Sequence, residues 1–201
     1  MIKLISDFTA AVYQNISKPI LFQINPELVH ETMTGVGEYL GKFPLAQNLM
    51  YSAYGYQHSN LQQTIDGILF PNPVGLAAGF DYDARLTKIL SSIGFGFHSH
   101  GTVTYGYYEG NQRPRLGRLP KSKSLMVNKG FKSAGATTII NKLKTGRNIK
   151  SAMNTPLGIS IGATNKTYPS LSDQIKEYVL AFEQFEKTDI ADYYEINISC
   201  P

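Results

Sequence analysis

Four short segments carry residue types that could hold a flat ligand and move a proton: Ala77-Ala-Gly-Phe-Asp-Tyr82, Gly101-Thr102, Ser160-Ile-Gly162 and Asn197-Ile-Ser-Cys-Pro201. Ala77, Ala78 and Gly79 offer nearly bare backbone, against which a ring can lie closely. Thr102 and Asn197 can both donate and accept hydrogen bonds to a heteroaromatic ring, or turn the same groups inward to bond a local turn. Cys200 is the one cysteine of the chain. A thiol perturbed by its site can hold negative charge beside an acidified carbon and act as a base, whereas a lone cysteine after a buried strand can equally be a small core residue. His58, His98 and His100 lack the acidic neighbours and ligand spacing of a metal centre, so no metal is expected.

The elements that must position these residues fall into two stretches. Residues 1–60 read as helical and aromatic-rich. Asn25 is a good N-cap, Pro26 suits the first helical position, and Val29, Met33, Val36 and Leu40 recur at near-helical spacing before Gly41. Phe43 to Tyr54 forms a second apolar cluster. These helices either pack on the main core or form a small lid whose apolar face meets lipid or a hydrophobic substrate; periodicity does not separate the two.

From about residue 64 the rhythm becomes strand-then-helix. Val74–Ala78 reads as a strand, and Asp83–Ile93 as a helix with Leu86, Ile89, Leu90 and Ile93 on one face. Phe95–His100 leads into Gly101–Thr104. After a long irregular insertion, Ala134–Leu143 reads as a helix and Pro156–Ile161 as a strand. Ile175, Val179, Phe182 and Phe185 mark a further amphipathic helix, and Tyr193–Ser199 a last strand. Strands alternating with helices predict a parallel sheet covered by helices, its active site at the carboxyl ends of the strands. A closed β/α barrel takes eight such units and about 250 residues. At 201 residues the chain supplies about half of them, so the expectation is a part of a barrel in preference to a smaller open sheet.

Composition narrows the function classes. The net charge of +4 is spread from Lys3 to Lys187 without a dense cluster, which argues against nucleic-acid binding. A single cysteine excludes an internal disulfide and fits a reducing compartment. Met1–Asp7 lacks the apolar run of a secretory signal, and no stretch approaches the ~20 apolar residues that span a bilayer. A cytoplasmic protein touching a membrane at most from the side is expected.

The landmarks Ile20–His30, Asn72-Pro-Val-Gly-Leu-Ala-Ala-Gly-Phe-Asp81, Gly101-Thr-Val-Thr104, Arg113-Pro-Arg-Leu-Gly-Arg-Leu-Pro120 and Asn197–Pro201, in this order and spacing, resemble the quinone-linked (class 2) dihydroorotate dehydrogenases. The likeness runs from about residue 16 to the end. It implies an α/β fold: the first half of a (β/α)8 TIM-type barrel over residues 61–201, preceded by a small helical amino-terminal extension over 1–60 that faces membrane and quinone. It implies FMN-dependent oxidation of dihydroorotate to orotate in de novo pyrimidine biosynthesis, with a membrane quinone as acceptor, at the inner face of the cell membrane.

By the same resemblance, Ala77, Ala78 and Gly79 back the FMN ring, Thr102 and Asn197 bond to it, and Ser160 stands where a flavin-contacting asparagine is usual. Cys200 takes the position of the base that removes a proton from C5 of dihydroorotate while hydride leaves C6. Tyr82, Asn128, Gly130, Phe131 and Asn197 fall at the substrate face, and His30 and Arg118 where that class lines its quinone tunnel. The chain departs from the pattern in four places. Serine is usual at the Cys200 position in quinone-linked members, cysteine being typical of class 1. Tyr82 replaces the lysine that follows Phe-Asp. Val127 replaces a substrate-facing asparagine, with Asn128 adjacent, and Ser160 replaces the flavin-contacting one. These departures keep open another FMN-barrel oxidoreductase acting on a related ring, or an inactive fragment that only binds a partner.

Overall fold

Asn25 caps a helix as its type and position require: its side chain accepts from the backbone N–H of Glu27 and Leu28, at 2.9 and 3.3 Å. The computed structural model describes residues 2–147 and 155–199. Helix α1 (Ile2–Val12) runs through a π-helical turn into the short α2 (Lys18–Leu21). The capped helix, α3 (Pro26–Leu40), has Pro26 in its first turn and ends at Gly41, and α4 (Pro44–Tyr54) follows.

The apolar stripe of α3 faces the body of the protein only in part: Met33 is 52% and Val36 46% exposed, while Leu40 packs inward. Small residues share the inward face. A Cβ on Gly37 would lie 2.4 Å from Leu86 Cδ2, and one on Gly41 3.1 Å from Lys88 Cβ, so side chains there would hold the helix off. Ion pairs fasten this close approach. Arg85 reaches Glu31 at 3.2 Å and Glu38 at 2.7 Å, and the buried Arg115 reaches Glu27 at 3.3 Å.

Strands β1 (Gln63–Ile65) and β2 (Ile68–Phe70) form an antiparallel hairpin. Its turn residues Asp66 and Gly67 both have positive φ, 49° and 82°, as a type I′ turn needs. The strand-then-helix reading from residue 64 passed over this hairpin, although Asp-Gly signals it. Strand β3 is only Gly75–Leu76, shorter than the expected Val74–Ala78, and β4 is Phe97–Val103.

Between them the expected helix over Asp83–Ile93 is absent; turns lead into a 3-10 helix, Leu90–Ile93. Two local features explain the difference. Ala84 has φ +54°, outside the right-handed helical region, and the Asp81 carboxylate accepts from both Arg85 N and Leu86 N at 2.8 Å, closing a turn. Leu86, Ile89 and Leu90 are nevertheless buried together, against Leu40, Met50, Leu76 and Phe95.

The insertion expected to be irregular contains a second hairpin, β5 (Leu116–Leu119) with β6 (Ser124–Val127). Helix α5 (Ala136–Arg147), β7 (Leu157–Ile161), α6 (Leu171–Glu186) and β8 (Tyr193–Ile196) complete the alternation. The main sheet has four strands in the order β3-β4-β7-β8, all parallel. Val103, Leu157, Ile159 and Ile161 of the sheet meet Ile139, Leu143, Ala181 and Phe185 of the helices in the main core. On α6 the inward stripe is Tyr178, Ala181 and Phe185; Ile175 and Val179, expected on the buried face, are exposed. The small Ala181 lets the helix settle on the sheet, and Phe182 lies to the side, edge-on to Tyr194 at 4.8 Å. Among the described residues no helix is long and apolar enough to cross a membrane.

Candidate active site

Side chains at the carboxyl ends of the strands converge. Thr102 near the end of β4, Ser160 near the end of β7 and Asn197 directly after β8 form one network. Asn197 Nδ2 donates to Thr102 Oγ1 at 2.7 Å, and the Thr102 and Ser160 hydroxyls lie 3.1 Å apart. Its Oδ1 also accepts from Ser199 N and Oγ, the local turn that was one of the two expected uses of Asn197. Beside this network, Gly79 N donates to Gly101 O at 2.7 Å. Gly79 has φ +101°, and a Cβ built on it would meet nothing within 4 Å, so exposed backbone borders open space there. Ala77 is exposed and Ala78 half-buried. Hydroxyl and amide groups beside bare backbone suit the polar edge and flat face of a flavin ring, so these residues fit FMN.

Tyr82 is buried close by and commits its phenol to Glu31, donating to Oε1. Burial and the hydrogen bond to Glu31 raise the Tyr82 pKa well above its ordinary value. Burial alone would raise the Glu31 carboxyl, but hydrogen bonds from Tyr82 and from Lys132, at 3.1 Å, outweigh it and hold that group below the usual range. His30 stacks on Tyr82 with ring centroids 5.7 Å apart and sits edge-on to Phe80 at 5.1 Å. Its Nε2 lies 2.8 Å from Phe80 O; a carbonyl only accepts, so Nε2 carries the hydrogen. Burial first, and the Lys129 charge second, push the His30 pKa down, which keeps the ring neutral near pH 7. Its buried Nδ1 has no hydrogen-bond partner among the described residues.

The loop after β6 approaches from a third side. Phe131 is buried, with its N–H donating to Asn165 Oδ1 at 2.7 Å. A Cβ on Gly162 would meet the Phe131 ring and Thr102 Cγ2, each at 2.6 Å, so Gly162 lets Phe131 reach the strand ends. Gly130 has φ +65° and sits against Asn111 and Asn165. Asn128 is exposed and accepts from Asn111 Nδ2 at 3.0 Å, while Val127 ends β6 in an exposed position. Arg118 on β5 has partners of its own: Nη1 donates to Ile24 O at 2.6 Å, and the guanidinium lies 4.7 Å from the Phe22 ring centroid. Cys200 lies outside the described residues.

Sequence reasoning overlooked two lysines. Lys129 Nζ sits 4.0 Å from the Tyr82 ring centroid, and Lys132 Nζ 5.2 Å from it. A signal was present, since both flank Gly130-Phe131 and the lysine usual at position 82 is missing. Behind the strand ends, His100 Nδ1 meets Asp81 Oδ2 at 3.0 Å with both side chains fully buried, and Thr87 Oγ1 lies 3.0 Å from His100 Nε2. Among the described residues no group of three or more His, Cys, Asp or Glu could hold a metal ion.

Comparison with known proteins shows the family of the chain. A family model for dihydroorotate dehydrogenase matches residues 60–201. The chain is similar to the dihydroorotate dehydrogenase (quinone) of Christiangramia forsetii, with 34% identity over 190 residues covering 94% of this chain and 53% of that protein. Similarity to the Helicobacter acinonychis protein of the same name is 34% over 184 residues, covering 92% and 50%. Among solved structures, the ferulenol complex of DHODH from Eimeria tenella matches with a TM-score of 0.71 and 31% identity, over 95% of this chain and 47% of that one. The chain spans about half the length of the curated relatives it matches. The α/β architecture expected from the sequence, the first half of a TIM-type barrel preceded by helices, agrees with these neighbours and with the parallel order of the sheet.

Proposed function

Because the chain belongs to the dihydroorotate dehydrogenase family, we propose that the protein oxidises dihydroorotate to orotate with FMN as its carrier and a membrane quinone as acceptor. The observation that carries this reading is the Thr102–Ser160–Asn197 network beside the open backbone at Gly79. FMN, when bound, takes up the hydride that leaves C6 of the substrate. Thr102, Ser160 and Asn197 hold the polar edge of the ring, and Ala77, Ala78 and Gly79 form its bed. Cys200 takes the proton from C5 as its thiolate; a positioned base contributes ~10²–10⁴-fold to such a step. Phe131, Gly130, Asn128 and Tyr82 shape the substrate face together with Asn197.

His30 and Arg118 border the quinone path. The neutral imidazole of His30, whose Nδ1 has no hydrogen-bond partner among the described residues, supports this assignment. Residues 1–60 act as a membrane-facing lid on the barrel part, 61–201, and the exposed Met33, Val36, Leu45 and Leu49 supply the apolar surface for it. The protein is then cytoplasmic and peripheral to the inner face of the cell membrane.

Purified full-length protein tests the reading. It is expected to be yellow, and to bleach when mixed anaerobically with dihydroorotate. Asn197→Ala is expected to weaken FMN binding about 10-fold, the effect of losing one or two hydrogen bonds in a covered site. A well-folded colourless protein that ignores added FMN sinks the proposal.

A further inference from the structure

Lys129 is a buried lysine, 9% exposed, whose ammonium has no hydrogen-bond or ion-pair partner among the described residues. Its ammonium rests on the Tyr82 ring, 4.0 Å from the centroid. Four charged side chains influence it, and all four are engaged elsewhere. Glu31 receives Tyr82, Arg85 and Lys132; Glu27 receives Arg113 and Arg115; Asp83 accepts from Ala134 N; Lys132 is spent on Glu31. Burial, and next to it the neighbouring Lys132, act against its charge. Glu31 first, then Glu27 and Asp83, favour the charge from a distance, but none of them bonds the ammonium, which is left available to an arriving anion.

The position says which anion. Tyr82 lies three residues beyond Gly79, and Lys129 two residues before Phe131, whose ring meets Thr102 across Gly162. The ammonium and the ring it rests on thus belong to the two loops that carry Gly79 and Phe131. We propose that Lys129 is the residue that receives the negatively charged group, a carboxylate, of a planar ring substrate, with Tyr82 as the platform that holds the ammonium in place. Glu31 fixes that platform by taking the phenol proton donor out of play. This assignment rests on the dihydroorotate reading and gives its carboxylate a partner in a chain whose position 82 is aromatic.

The test is calorimetric binding of orotate and of uracil, the same ring without the carboxylate, to the full-length flavoprotein, with thermal unfolding of each variant. Lys129→Met is expected to weaken orotate about 10–100-fold, the effect of losing a charged hydrogen-bond partner. The advantage of orotate over uracil should shrink by the same factor. Lys129→Arg should restore most of it. The melting temperature of Lys129→Met should stay level or rise, because the ammonium bonds no carboxylate of the fold, whereas a structural cation would leave a less stable protein. Orotate binding within about 2-fold of wild type in Lys129→Met overturns the assignment and leaves the dihydroorotate reading standing. A loss shared equally by orotate and uracil, or accompanied by a lower melting temperature, overturns it as well. Wild-type flavoprotein that ignores orotate overturns the dihydroorotate reading itself.

Discussion

A thiol titrates near pH 8.5 and a serine hydroxyl is far less acidic, so the identity of residue 200 should set where on the pH axis the proton leaves the substrate. Cys200→Ala is expected to slow flavin reduction by dihydroorotate ~10²–10⁴-fold while leaving FMN binding nearly untouched. Cys200→Ser should keep a measurable fraction, with its pH profile moved upward. Equal stopped-flow rates for wild type and Cys200→Ala would make this a structural cysteine. Asp81 titrates at the other end of the scale. Burial would raise its pKa, but His100 and the N–H groups of Leu86 and Arg85 outweigh that and hold it below the ordinary value of about 4. A depressed carboxylate stabilises the fold above its unfolded pKa and loses that contribution as the pH falls through the folded one. The melting-temperature gap between wild type and Asp81→Asn should therefore be widest near neutrality and narrow below about pH 4; a gap that is flat with pH would show the pair to be inert.

Among the elements, α3 is where hydropathy and packing part company. Its cap, start and stop were legible because Asn25, Pro26 and Gly41 act within a few residues. Its inward face was not, because that face combines Gly37 with the polar Glu27 and Thr34, none of which carries a hydropathic signal. Gly37→Leu should push the helix away from Leu86 and destabilise the protein by roughly 1–3 kcal/mol, as overpacking does. Unfolding in urea would measure this, and an unchanged midpoint would mean that α3 is not held at that distance. The segment 83–93 teaches the converse. Its apolar spacing correctly marked Leu86, Ile89 and Leu90 as buried, yet the left-handed Ala84 and the reach of Asp81 make it turns, which periodicity does not register. On α6 the large residues Ile175 and Val179 outweighed the small Ala181 in the pattern, although Ala181 is the one against the core. Phe185→Ala there should cost ~3–5 kcal/mol.

At the scale of the molecule, alternating strand and helix made the parallel sheet legible, and with it the strand ends where a site must lie. The meeting of Glu31, Tyr82, Lys129 and Lys132 was not legible, since it depends on how the amino-terminal helices seat on the loops after β3 and β6. That seating also dictates how membrane contact should be tested. Removing residues 1–60 would strip Glu31 from Tyr82, Arg85 and Lys132, and Glu27 from Arg115, so a dead enzyme would say little about lipid. Substitution on the outer face avoids this, because Leu45 is 71% and Leu49 62% exposed. These two lie four residues apart on α4, hence on one face of the helix. Replacing both by glutamate removes apolar surface and adds charge that an anionic bilayer repels. The double variant Leu45→Glu/Leu49→Glu should sediment less with vesicles containing anionic lipid and should need more long-chain quinone to reach half its maximal rate. Flavin reduction by dihydroorotate should match wild type, since no contact of the strand-end network is touched. If vesicle binding and quinone dependence both stay at wild-type values, the outer face of α4 is not the membrane surface.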